Sequence, residues 1–366
     1  MDNDLLYRIA LTKVAHIGDV HARSLIHRYG IAADIFNAPR RHLEQIEGIG
    51  AVRAGSIKKF REFNICEKEL DFINKYKISP LFITDEKYPK RLHHCYDSPV
   101  LLYYKGNANL NAEKIISVVG TRKQSEYGKY LTEKLIEELK EFGITIVSGL
   151  AYGIDTIAHK SALKAKLPTI AVLAHGLDTI YPASNTVLAK SIIENGGLLT
   201  DFTSGTKPDK QNFPKRNRIT AGICDALVVI ESGISGGSLI TAELANGYNR
   251  DVFALPGKTT DSKSEGCNML IKKNKAAMIT CTQDILETMS WNKNDSAVKS
   301  SQRLLFTELN ENEKKIVELF SVGTTIHIDE IHLKSGLPGS AIASALLSLE
   351  MNAIIRSMPG KLYKLN

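Results

Sequence analysis

The chain has 366 residues, 43% of them hydrophobic and 24% charged. That mix excludes global disorder, and the length exceeds what one ordinary core organises, so two or three domains are expected. Formal net charge is +7, from 47 basic and 40 acidic residues, an excess too mild to name a partner until its placement is known.

The 5 cysteines are scattered, with no pair in C-x-x-C spacing, so neither a disulfide framework nor a zinc site is suggested. Free thiols of this kind fit a reducing cytoplasm, which is the expected location. The opening "MDNDLLYRIA" is unlike a signal peptide, and no apolar run approaches the roughly 20 residues of a spanning helix. No cofactor or metal is expected, and no membrane.

Residues 1–65 read as short helices. "VAHIGDVHARSLIHRYG" and "IEGIGAVRAGSIKKF" share one pattern, an apolar residue, Gly, a short gap and a helix. Glycines allow a tight turn before a helix whose free N–H groups can face a phosphate. The pair resembles a helix-hairpin-helix (SAM-like) module. Plain packing and DNA contact both remain open for it.

Residues 66–290 alternate short aliphatic runs with amphipathic stretches. The runs are "IISVVG" (115–120), "ITIVSG" (144–149), "TIAVLAHG" (169–176), "GLLTDF" (197–202), "DALVVIES" (225–232), "DVFALPG" (251–257) and "AAMITC" (276–281). Most read as strands buried on both faces. Between the first two, Tyr127, Leu131, Leu135, Ile136, Leu139 and Phe142 form one helical stripe that Gly143 stops. The alternation predicts a Rossmann-like, doubly wound, mainly parallel α/β sheet.

Residues 291–303 are polar and read as a linker. In 304–366, a helix, a second helix, a Gly-Leu-Pro-Gly turn, a third helix and a hairpin around Pro359-Gly360 follow one another in the order of a winged helix. The third helix, "SAIASALLSLEM", has no Arg or Lys with which to read bases, which favours protein contact or packing over duplex recognition.

In such a sheet, ligands sit beyond the carboxyl ends of the strands. There the chain offers Gly120, Thr121, Arg122 and Lys123 after the first run, Gly149 after the second, and "SGISGGSLITAE" after the fifth. Gly236, Gly237 and Ser238 before a helix make an anion cradle, to which Ser238 or Thr241 can add a hydroxyl.

"KPDKQNFPKRNR" (207–218) adds Lys207, Lys210, Phe213, Lys215, Arg216, Asn217 and Arg218. These are more cations than one small anion uses, and a repeating polyanion uses several. Phe213 supplies a face for an unpaired base, so single-stranded nucleic acid fits better than duplex. The competing reading buries Phe213 and pairs Arg216 and Arg218 with carboxylates such as Asp201 or Asp225.

"VVGTR", "SGLAYGID", "HGLDTIYPASN", "FPKRNRITAG", "SGGSLITA" and "GCNMLIKKNKAA", preceded by "YPKRLHHCYDSPVLLYYKGN", resemble the ordered motifs of the DNA-processing protein A (DprA, or Smf) family over about residues 80 to 285. The resemblance implies a bacterial recombination mediator. Such a protein binds and protects single-stranded DNA during natural transformation, and helps load a RecA-type recombinase. It works as a homodimer through its Rossmann-like domain and is not an enzyme. DNA contacts are implied at Arg122, Lys210, Phe213 and the Gly236–Ser238 cradle. Asn274 stands where the family commonly has Gly, and Asn tolerates the left-handed backbone best after Gly.

Two other functions compete. A phosphoribohydrolase-type enzyme would place Glu243 against a ribosyl cation, although Leu239 stands where that loop needs Gly. A regulator would bind duplex DNA through the terminal winged helix.

Overall fold

The computed structural model describes residues 3–291, 309–320, 324–352 and 354–365. All of the expected linker but Trp291 lies outside them. The chain forms two compact units, one of residues 1–248 and 252–280, the other of 249–251 and 281–366.

The larger unit is built on a nine-stranded sheet in the order β1-β2-β6-β5-β4-β3-β7-β8-β9. The strands are β1 (Ser79–Phe82), β2 (Leu101–Gly106), β3 (Ile115–Val119), β4 (Thr145–Ser148), β5 (Thr169–Val172), β6 (Gly196–Thr200), β7 (Ala226–Val229), β8 (Asp251–Ala254) and β9 (Ala277–Met278). Strands β6, β5, β4, β3 and β7 pair in parallel, with Ile116 of β3 opposite both Ile146 and Ala226. Every residue of β3, β4, β5 and β7 is buried, which is why their sequences carry no polar alternation.

The sheet is mixed, not parallel throughout. Strands β1 and β2 extend it antiparallel from β6. The run "VLLYYKG" fits such a strand, with Leu101, Leu102, Tyr103 and Tyr104 all buried.

Ahead of the sheet come helices Asn3–Lys13, Asp19–Tyr29, Ala32–Asn37, Arg40–Leu43, Ala51–Lys59 and Phe63–Tyr76. The last of these spans residue 65. Gly18 and Gly50 precede the second and fifth helices, as the repeated pattern predicts. Arg53 ties the two turns together, donating to the His16 carbonyl at 3.2 Å and the Gly48 carbonyl at 2.9 Å.

These helices are bonded to the sheet by buried and partly buried polar groups. Asp19 accepts the Val100 N–H at 3.0 Å and Arg218 Nη2 at 2.9 Å, while the same nitrogen reaches Asp201 at 2.6 Å. Glu69 accepts the Ser204 N–H at 3.0 Å, and Lys13 donates to Thr203 Oγ1 at 2.9 Å. Burial pushes the Asp201 carboxyl upward and Arg218 works against it. Asn274 sits at φ 52°, the left-handed conformation expected of it.

The smaller unit has helices Thr282–Thr288, Glu311–Glu318, Ile328–Ser335 and Gly339–Met351 with a three-stranded antiparallel sheet, β10 (Thr325–His327), β12 (Leu362–Leu365) and β11 (Ile355–Met358) in that order. Ile316, Ile331, Ile342, Leu346, Leu349 and Ile355 form its core. This is a winged-helix arrangement, with the hairpin turning at Gly360, φ 82°.

Arg218 lies between two carboxylates, and its removal strands both. Arg218→Ala is expected to lower the stability of the larger unit by about 3–5 kcal/mol in urea unfolding; a drop below about 1 kcal/mol, the size of a surface pair, would contradict that role.

Candidate nucleic-acid interface

From β3 the chain winds through β4, β5 and β6 on one side, then crosses to β7 on the other. The strand order therefore reverses at β3 and β7, where open α/β sheets hold ligands. A cleft of about 510 Å³ opens there. A wider hollow of about 950 Å³, lined by Arg23, His27, Arg28, His42 and Tyr96, belongs to the N-terminal side and lies at no strand end.

The cleft gathers Gly120, Thr121 and Arg122 from the end of β3 and Gly149 from the end of β4. Lys210, Phe213, Arg216 and Asn217 form a second wall; Gly236, Gly237, Ser238 and Thr241 form a third. Lys123 and Lys215 are exposed outside it. The basic stretch is a helix, Asn212–Gly222, more than a loop. Pro214 falls in its first turn, where a missing N–H costs nothing.

The rim is organised around Phe213, which is half-buried. The Arg122 guanidinium lies over its ring at 4.8 Å from the centroid. Tyr181 packs beside it, 6.1 Å between centroids. The buried reading of Phe213 therefore does not hold.

For Arg218 the competing reading does hold, whereas Arg216 is buried but bonds a backbone carbonyl. Arg218 points away from the rim into the Asp19 and Asp201 ion pairs. Asp225, the other carboxylate considered, pairs with Arg91 at 2.6 Å. Arg216 lines the cleft only from its floor and is 6% exposed. Its Nη1 donates to the Val172 carbonyl at 2.8 Å. Burial pulls the Arg216 pKa down and nearby Asp155 opposes it; burial pushes Asp155 up and Arg216 opposes that.

Gly149 serves this pair. A Cβ there would collide with the Arg216 guanidinium and the Asp155 carboxylate. The residue is glycine to admit protein side chains, whatever else approaches it. Beneath it lies His159, fully buried, whose Nε2–H donates to the Gly149 carbonyl and whose Nδ1 meets Thr169 Oγ1 at 2.7 Å. Burial lowers the His159 pKa to about 4.

The third wall also differs from expectation in its hydroxyls. Ser238 Oγ donates to Ser232 Oγ at 2.8 Å, and Thr241 Oγ1 to the Gly237 carbonyl at 3.4 Å. Both turn inward and hold the loop. What faces the cleft is the first turn of helix Gly237–Gly247, where the Leu239 N–H is taken by the Gly236 carbonyl and the N–H groups of Gly237 and Ser238 have no acceptor within the helix. Glu243 is outside the cleft, paired with Lys275 at 2.6 Å, so the ribosyl-cation role has no geometry to support it.

Sequence reading missed the parts Asp155, His159 and Tyr181 play. Asp155 and Tyr181 lie inside quoted motifs and His159 just beyond one, but a motif does not tell which side chains face inward.

The fold and site define a Rossmann-like α/β protein with a switch-point cleft, a cation–aromatic rim and an appended winged helix. Comparison with known proteins agrees. The family model described as DNA recombination-mediator protein A matches residues 79–290, and the DprA winged helix domain matches 307–361. The chain belongs to the DNA recombination-mediator protein A (DprA/Smf) family.

It is 42% identical over 245 residues to DNA processing protein DprA of Streptococcus pneumoniae, covering 67% of this chain and 86% of that one. It is 36% identical over 292 residues to Protein Smf of Escherichia coli, covering 76% and 75%. The X-ray structure of the Streptococcus pneumoniae protein superposes with a TM-score of 0.67 at 35% identity, over 77% of this chain and 97% of that one. A structure of DNA processing protein A from Helicobacter pylori, concerned with its single-stranded DNA binding mode, gives 0.53 at 32% identity, over 58% and 96%.

His159 makes stability depend on pH. It stays neutral in the fold until about 4, whereas the unfolded side chain takes its proton near 6.5. Between those values the unfolded state binds more protons, so stability falls as pH drops through the window, by about 3 kcal/mol in total. Asp155 and Asp201 titrate with the opposite sign, so the test is the difference from His159→Gln, which lacks that fall. Parallel pH–stability curves for the two proteins would contradict it.

Proposed function

We propose that this chain binds single-stranded DNA along the cleft rim and acts as a recombination mediator. It would protect incoming strands during natural transformation and pass them to a RecA-type recombinase, working as a homodimer in the cytoplasm. One observation carries the reading: the Arg122 cation is held over the Phe213 ring at the mouth of a cleft that also contains a helix N-terminus.

A guanidinium held over a ring offers its outer face to an unpaired base while its charge meets the adjoining phosphate. Lys123, Lys210 and Lys215 stand exposed around it for further phosphates. Asn217 and the backbone N–H groups of Gly120, Gly237 and Ser238 complete the proposed DNA-binding set, with Thr121 and Gly236 shaping the turns, their own N–H groups being taken by the Glu231 and Gly233 carbonyls. The single-stranded DNA binding mode described for the Helicobacter pylori relative supports the choice of ligand. Duplex recognition by the winged helix has less support, because helix Gly339–Met351 contains no basic residue.

The N-terminal helices fit a helix-hairpin-helix module, with their two glycine turns drawn together by Arg53. Recombinase loading and dimer formation are inferred from family membership.

The test is an oligothymidylate titration of Arg122→Ala with Lys210→Ala. Both side chains are exposed, so the fold is retained. Affinity should drop at least tenfold, and the dependence of log K on log salt should flatten by about 0.7 for each phosphate that is no longer neutralised. Unchanged affinity would reject the reading. Phe213→Ala should weaken binding by about 1–3 kcal/mol, and Phe213→Trp should preserve it.

A further inference from the structure

We infer that Tyr152 is a second stacking platform for the strand, so that DNA leaves the cleft across the ends of β4 and β5. The inference rests on the single-strand reading of the rim. It adds a direction and a residue that neither the motif resemblance nor the cleft itself assigns.

Tyr152 is 51% exposed and Tyr181 is 43% exposed, large values for aromatic rings beside a site. Tyr152 is fastened to Arg122 through its neighbour Gly153. Gly153 has φ +81°, and a Cβ there would run into the Thr121 carbonyl and Arg122 Cα. The next residue, Ile154, donates its N–H to the Thr121 carbonyl at 3.2 Å. The turns leaving β3 and β4 are thus one knot, and Tyr152 rises from it beside Arg122.

That knot is rigid on its other side as well. The Leu150 carbonyl accepts from Asn185 Nδ2 at 2.9 Å, and the Ala151 carbonyl accepts from Thr156 Oγ1 at 2.7 Å. A ring on a fixed backbone, with two rotatable bonds, gives up little entropy when a base stacks on it.

Adjacent strands are about 4.8 Å apart, and β5, β4 and β3 are neighbours in that order. Their ends carry Tyr181, Tyr152 and Arg122, and Phe213 joins the first to the last, 6.1 Å from Tyr181 and 4.8 Å from Arg122. Arg122, Phe213 and Tyr181 are thus in continuous contact, and Tyr152 stands exposed on the turn after β4, the strand between β3 and β5. In the loop and helix after β7 the exposed apolar side chains are Ile234 and Ile240, which offer no ring, while Tyr127 and Tyr130 are exposed on helix Glu126–Glu138. Only Tyr152 among these tyrosines sits on the turn that is knotted to Arg122, and this favours the β4–β5 side.

Single-strand sites span about 4–16 nucleotides, so oligothymidylates at the two ends of that range separate the subsites. In the full chain, Tyr152→Ala should weaken the longer oligomer about tenfold and the shorter one much less. Tyr152→Phe should bind both as the parent does. The chain has 1 tryptophan, so Tyr152→Trp adds one strong reporter, whose fluorescence the longer oligomer should quench.

Equal affinity of Tyr152→Ala and the parent for both oligomers, with Arg122→Ala defective, would overturn the platform and leave the single-strand reading standing. An equal weakening on both lengths would also overturn it, by merging Tyr152 with the Arg122 subsite. If Arg122→Ala itself binds normally, the single-strand reading fails first and this one with it.

Discussion

Two inward-turned guanidiniums on one helix, one buried and one partly buried, hold the site together. Arg218 joins helix Asn212–Gly222 to Asp201 at the end of β6 and to Asp19 of the N-terminal helices. Two residues earlier, Arg216 joins it to the Val172 carbonyl of β5 and faces Asp155 under Gly149. A guanidinium suits this task because its several fixed donors can serve more than one acceptor at once. With both arginines engaged, the first turn of the helix is fixed, and Phe213 with Lys210 and Lys215 stands where Arg122 can reach it. The excess of cations in this stretch is thereby explained in two parts: some tether the helix, and the rest are exposed.

That division also shows where sequence reading stops. The sheet was legible because strands β3 to β7 are buried on both faces and read as unbroken aliphatic runs. The antiparallel pair β1 and β2 was not, although "VLLYYKG" has strand composition, because composition alone does not give the direction in which a strand pairs. Convergence of the loops on one edge was also legible, since topology alone puts strand ends together. The partners of Arg216 and Arg218 were legible only in part: Asp201 was a candidate, but Asp19 and Asp155 were not, because only the fold selects among available carboxylates. Gly149 shows the same limit: a glycine beside a suspected phosphate site reads as a cradle, whereas here its missing side chain makes room for two internal charged groups, Arg216 and Asp155.

The arrangement links the N-terminal helices to the site physically. Asp19 sits at the start of helix Asp19–Tyr29, just after one of the glycine turns, and shares Arg218 with the sheet. Glu69 and Lys13 bind the segment at 203–204 that follows β6. The helices therefore brace the segment leading into the basic helix. The winged-helix unit has its own core and its own sheet, and its third helix is neutral.

The central claim is that exposed cations and rings at the reversal of strand order grip an unpaired polyanion. It is tested most directly by titrating the full chain with one single-stranded oligomer and with its duplex, each at low and moderate salt. The account predicts that the single strand binds more tightly at both salts, and that its affinity falls steeply as salt rises. Duplex binding as tight as single-strand binding, or an affinity indifferent to salt, would contradict it.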